Sequence, residues 1–244
     1  MESTAQLNAE NVERWVESKR QTARTLSNYD VSTTGNLSAI RERYRSELDE
    51  LAADVVDIHY VSIGTASPTI LTSTDGGLSG SGDRSADIAL ETLNIEWQGT
   101  RLSSWMTEPA VSHVYQREGT KRIAFVAPVE GTEREGSGAA VMVVANATAS
   151  SNALENATEG GFTRAVDDRS IVELSSDPTR IGREYMRGRQ TAAYTRGSQG
   201  QVGTTNMTNY ARYLGEGLAS FETDEEHEFV FQNGATGNVR RGED

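Results

Sequence analysis

The sequence predicts an α+β protein of two lobes, and three observations carry that prediction. Residues 7–55 repeat apolar side chains at helical spacing. Residues 111–146, VSHVYQREGTKRIAFVAPVEGTEREGSGAAVMVVAN, hold three apolar runs separated by two charged or Gly-bearing turns, the pattern of an antiparallel meander. Residues 162–174 then repeat strand, turn and strand in weaker outline. At 244 residues the chain has length enough for one large core or two small ones.

In chain order, Leu7, Val12, Trp15, Val16, Ala23 and Leu26 define one amphipathic helix, with Trp15 as its anchor in the core. A polar break at Ser27 to Asn36 precedes a second helix, which carries Leu37, Ile40, Tyr44, Leu48, Leu51 and Val55 in steps of three and four. Asn36 or a neighbouring Thr supplies its cap. Near Val55 the period turns strand-like in VVDIHYVSIG. The Gly-rich TSTDGGLSGSGD that follows soon after reads as a long turn, and without GxxxxGK it is not a phosphate cradle. Ser85 to Glu108 reads as short helices capping the sheet and ending near Pro109. After the meander, Phe162 to Val166, a DDRS turn and IVEL begin the second lobe, with Asp167 and Asp168 in turn roles. Only one further strand, Glu228 to Gln232, is evident, so the second lobe is expected to be incomplete.

Charge narrows the function. A net charge of -13, from 36 acidic and 23 basic residues, repels phosphates and disfavours both a nucleic-acid partner and an anionic membrane surface. Lys19 and Lys121 are the only lysines; with abundant Thr, Ser, Gly and surface carboxylates, this resembles the proteins of salt-loving archaea. The absence of cysteine excludes disulfides, thiolate metal sites and cysteine nucleophiles. The longest apolar run, Ala139 to Ala145, is too short to span a bilayer, so any membrane attachment is expected through segments outside this chain. His59, His113 and His227 lie in unrelated segments without HExxH spacing, and LSGSG lacks the GxSxG elbow. The expectation is therefore a protein that is not an enzyme, with no catalytic residue, no metal and no cofactor.

Binding chemistry concentrates around the meander. Trp97, Arg101 and Trp105 recur every four residues, so on a helix they share one face, where two indoles and a guanidinium suit a small polar or carboxylate-bearing ligand. His113 and Tyr115 are two apart and on a strand point the same way. The structural alternative has the indoles and Tyr115 in the core, with Arg101 in a surface ion pair. Sequons at Asn36, Asn146, Asn156 and Asn206 suit a cell-surface location.

The order of these parts resembles the extracellular double Cache sensor domains of methyl-accepting chemotaxis transducers and sensor histidine kinases. The likeness runs from NVERWVESKRQTARTLSNY, similar to the family's first helix with its Trp and Lys, through YVSIG, IEW and SSW. It continues in VSHVYQREGTKRIAFVAPVEG and in GGFTRAVDDRSIVELSSDPTRIGREY, so that it covers roughly Leu7 to Tyr185. Trp105 is not followed by the Tyr of the amino-acid-binding subclass, which departs from that subclass. The resemblance implies a long N-terminal helix packed along two PAS-like modules with antiparallel sheets. On that reading residues 1–58 are helical support, 59–155 the membrane-distal ligand-binding module, and 156–244 a partial membrane-proximal module. It further implies a small-molecule ligand (amino acid, carboxylate or amine) held by Trp97, Arg101, Trp105, His113 and Tyr115, a homodimer through the long helix, and a haloarchaeal cell-surface receptor. The competing class is a surface module for adhesion or assembly that binds no small molecule.

Overall fold

A computed structural model describes the backbone over residues 2–64, 67–78, 86–98, 102, 106–134, 137–152, 154, 162–167, 169 and 171–185, and five short strands beyond. Side chains are described within residues 7–185 of that set, except at 133, 134 and 162. Contacts divide the chain into two compact units, one of residues 17–117 and 122–146, the other of residues 1–16, 118–121 and 147–244.

Helix α1 spans Glu2–Ser27. Ala9, Val12, Val16, Lys19, Ala23 and Leu26 are buried along it, in alternating steps of three and four that hold one stripe inward. Lys19 is the exception in that stripe, and its Nζ meets Asp54 Oδ1 at 2.6 Å. Leu7 is exposed and Trp15 half-buried, so neither is the enclosed anchor that spacing alone indicates. The polar break contains a short helix, α2 at Asp30–Thr33. Helix α3, Leu37–Glu50, begins where Asn36 accepts the Ala39 N–H at 3.0 Å and ends five residues before Val55, which opens a strand instead.

The larger unit is built on one antiparallel sheet. Its strands are β1 (Val55–Gly64), β2 (Thr69–Ser73), β3 (Ile88–Ala89), β4 (Ala110–Val111), β5 (Tyr115–Arg117), β6 (Thr120–Arg134) and β7 (Ser137–Asn146). They lie in the order β3-β2-β1-β7-β6-β4, with β5 also paired to β6. The expected meander is therefore present, and β1 pairs with its last strand along nearly its whole length. Glu118 and Gly119, at φ 50° and 79°, form the tight turn from β5 to β6; Gly119 meets this left-handed requirement without strain.

The sheet has two buried faces. On one, α3 packs against β1 and β2. There Tyr60 Oη donates to Ser32 O at 2.8 Å, while Ser32 Oγ bonds Tyr44 Oη at 2.9 Å and donates to Leu26 O at 3.0 Å. This knot fixes the end of α1 and both following helices to the sheet. On the other face, Val61, Ile63, Ile70, Ala140, Met142, Val144, Ala124 and Val126 are covered by the segment between β2 and β4. Among the described residues of that cover, Gly76–Leu78 and Leu90–Leu93 are single 3-10 turns, with Leu78 and Leu90 in the core.

In the second unit, β8 (Phe162–Val166) and β9 (Val172–Ser175) form the expected hairpin. Asp167 has the expected turn role, its Oδ1 accepting the N–H groups of Arg169 at 2.9 Å and Ile171 at 2.7 Å; Asp168 lies outside the described residues. The short helix α4, Ala147–Ser151, is tied to β9 where Ser151 Oγ accepts the Ser175 N–H. Strands β12 (Ser220–Thr223), β13 (Glu228–Phe229) and β14 (Val239–Arg240) extend the hairpin into a sheet ordered β14-β13-β12-β8-β9. A separate hairpin joins β10 (Gly203–Thr205) to β11 (Thr208–Tyr210). This unit thus has more of its sheet than the expected lone strand provides.

Candidate ligand-binding site

Alternation along β1 decides which side chains meet the cover. His59 pairs with Met142, Val61 with Ala140 and Asp57 with Val144, and all three β7 partners belong to the covered core. Asp57 and His59 therefore face the same way as Val61 and Ile63. On β6, Ala124 and Val126 share this face, which brings in Arg122 two residues earlier. Counting outward from the two-residue turn sets Tyr115 opposite Arg122 and Arg117 opposite Thr120. One end of an otherwise apolar face thus gathers Asp57, His59, Tyr115, Arg117 and Arg122.

The cluster is charged, buried and internally paired. Arg122 Nη1 donates to Asp57 Oδ2, both residues being buried, and Arg117 Nη2 meets Asp75 Oδ2 at 2.8 Å. Asp75 follows β2 and approaches the cluster from the cover, its Oδ1 accepting the Gly77 N–H at 2.8 Å. His59 Nδ1 shares a 2.6 Å hydrogen bond with Ser73 Oγ, which also accepts the Asp75 N–H at 2.9 Å.

Desolvation dominates the electrostatics. Burial raises the Asp57 carboxyl from 3.8 to about 6; the Arg122 guanidinium opposes that rise and the Asp75 charge adds to it. His59 falls from 6.5 to about 3, chiefly by burial, so its ring is neutral at ordinary pH. Burial likewise raises the Tyr115 phenol. Within the cluster, Arg122 Nε is buried without a hydrogen-bond partner. Donors left over in a desolvated site are costly unless an acceptor arrives.

Of the residues singled out by sequence, Trp97 and Tyr115 come together in the covered core, Tyr115 buried and Trp97 half-buried against it. Trp97 is not helical. It makes an antiparallel bridge to Ser112, with Gln98 N donating to Val111 O at 2.9 Å and His113 N to Glu96 O at 2.8 Å, so extended pairing replaces the expected helix there. Arg101 and Trp105 lie outside the described residues. His113 is buried, but the ladder breaks at residues 113 and 114, and the shared-strand argument linking it to Tyr115 lapses. Asp57, His59 and Arg122 escaped the sequence reading, although charge at core-facing positions of VVDIHYVSIG and KRIAFVAPV marks them. Beyond the helices' side of the sheet, an open groove between α1 and α3 is lined by Ser18, Thr22, Thr25, Leu26, Tyr29 and Glu47. It holds no comparable buried charge.

No family model matches the chain. It is similar to the transducer protein Htr18 of Halobacterium salinarum, with 25% identity over 190 residues, which is 78% of this chain and 22% of the transducer. The chain thus spans about a fifth of that relative's length. Among solved structures, the ligand-binding domain of the Pseudomonas fluorescens chemoreceptor CtaA in complex with L-serine aligns with a TM-score of 0.59 and 12% identity, over 98% of this chain and 94% of that one. The sensory domain of the Campylobacter jejuni chemoreceptor Tlp3, with isoleucine bound, aligns with a TM-score of 0.58 and 10% identity, over 99% and 90% of the two chains. The resemblance to double Cache sensor domains read from the sequence holds, and the fold is α+β as expected.

Proposed function

We propose that this chain is the extracellular small-molecule sensing domain of a transmembrane chemotaxis transducer, binding its solute between the larger sheet and its cover. The observation that carries the reading is the buried polar end of that sheet. Asp57, Tyr115, Arg117 and Arg122 cluster on a face that is otherwise Val, Ile, Ala and Met. Desolvated charge of this kind is expensive to keep in a purely structural core, and it marks a functional-site candidate. The relative's being a transducer supports the signalling role. The solved neighbours' complexes with L-serine and isoleucine support a small solute as the ligand class.

In this reading Tyr115 and Trp97 line the solute, and Arg101, Trp105 and His113 are its further proposed partners. Signal output follows from linkage: a solute that prefers one arrangement of cover and sheet biases the packing of α1, and that bias passes to the rest of the receptor. Among the described residues no helix is long and apolar enough to cross a membrane. The proposed receptor is attached to the membrane through segments outside this chain, and a homodimer through α1 is the proposed assembly.

Thermal-shift and calorimetric screening of amino acids, carboxylates and amines tests the proposal. At least one compound should bind, and Tyr115→Phe should weaken it about tenfold or more, the worth of a hydrogen bond to a charged group. Binding that ignores Tyr115, Trp97 and Arg101 alike would move the site elsewhere.

A further inference from the structure

The groups at the polar end of the sheet are unbalanced in a way that selects among solutes. Both carboxylates there are already matched to a guanidinium, Asp57 to Arg122 and Asp75 to Arg117. Arg122 Nε is a buried donor with no hydrogen-bond partner. Arg122 is itself more than nine-tenths buried, with 8% of its surface exposed. An incoming group that only accepts hydrogen bonds fits this surplus; an ammonium does not.

We propose that the site binds a small monocarboxylate lacking an ammonium group, whose carboxylate takes the place of Asp57 against Arg122 and Tyr115 while Asp57 takes up one proton from solvent. The proposal rests on the reading of this face as the ligand site. Its logic is charge conservation in a desolvated space. Asp57, Asp75, Arg117 and Arg122 sum to zero, a bound carboxylate adds one negative charge, and a proton on Asp57 restores neutrality.

Asp57 is placed to take that proton. The charged groups near it are Arg122 from β6, Arg117 from β5 and Asp75 from the cover; His59, neutral, is the next inward residue of β1, and β7 beside it presents Val144. Its carboxyl already titrates near neutrality, at about 6. Protonation there is far easier than at a surface aspartate. A zwitterionic amino acid behaves oppositely, since its ammonium needs Asp57 ionised. The two ligand classes therefore differ in the sign of their pH dependence.

Propionate and L-alanine, which differ by one α-ammonium, separate these cases by calorimetry at constant ionic strength from pH 6 to 8. Propionate should bind at least about tenfold more tightly than L-alanine, and its affinity should fall toward about tenfold per pH unit as pH rises above the Asp57 value. Asp57→Asn should remove that pH dependence, and Tyr115→Phe should weaken propionate at every pH. Both substitutions are near-isosteric and spare the Arg122 side chain, whose removal risks the fold. Tighter binding of L-alanine, or propionate affinity that does not fall with pH, overturns the inference. If a non-carboxylate from a wider panel binds through Tyr115, the ligand-site reading stands and this inference falls; if nothing in the panel binds, both fall.

Discussion

His59 and Asp57 sit one strand step apart and push stability in opposite directions with pH. His59 titrates near 3 in the folded chain against an ordinary 6.5, so the unfolded chain binds the extra proton between those values. Its contribution is complete above 6.5 and declines as pH falls toward 3. Asp57 is raised from 3.8 to about 6, so the folded chain holds the extra proton there, and stability declines as pH rises through that window. His59→Gln should therefore flatten the loss of stability on acidification below pH 6.5, as read by urea unfolding at steps from pH 4 to 7. An unchanged acid limb would mean that the ring is protonated in the folded protein. At this scale Tyr115 was singled out by its two-residue spacing from His113, and it is buried in the covered core. Asp57, His59 and Arg122 were not legible, because each looks like an ordinary polar residue until strand register shows which way it faces.

At the scale of elements, an ion pair joins α1 to the approach to β1. Lys19 is 5% and Asp54 15% exposed, and their atoms meet at 2.6 Å. Asp54→Ala should destabilise by about 3 kcal/mol, since it strands a buried ammonium, whereas Lys19→Met with Asp54→Leu should cost much less. Chemical denaturation of the single and double variants measures both. The signal for this pair was in the sequence, because Lys19, one of two lysines in an arginine-rich chain, falls on the helical step between Val16 and Ala23. The α3 cap was equally legible: Asn36→Ala should cost about 1 kcal/mol by the loss of the bond to the Ala39 N–H. Strands β12 and β14 were not legible. They are four and two residues long, too short for period-two alternation to rise above the surrounding Gly, Thr and Asn. The helical spacing of Trp97, Arg101 and Trp105 misled for a related reason. Backbone pairing of residues 96–98 with 111–113 overrides a three-point periodicity.

For the molecule as a whole, the architecture read from helix, meander and second hairpin is the architecture of chemoreceptor ligand-binding domains. What distinguishes a sensor from an adhesive module of the same fold is a ligand site, and the proposal puts one in the larger unit. The central claim is that a small solute binds at the Tyr115 end of the covered sheet. Calorimetric titration of the wild-type chain and Tyr115→Phe with a panel of amino acids, carboxylates and amines tests it most directly. The account predicts saturable one-site binding of at least one compound, weakened about tenfold or more in the variant. Binding by no compound, or equal affinity in the two proteins, would contradict it.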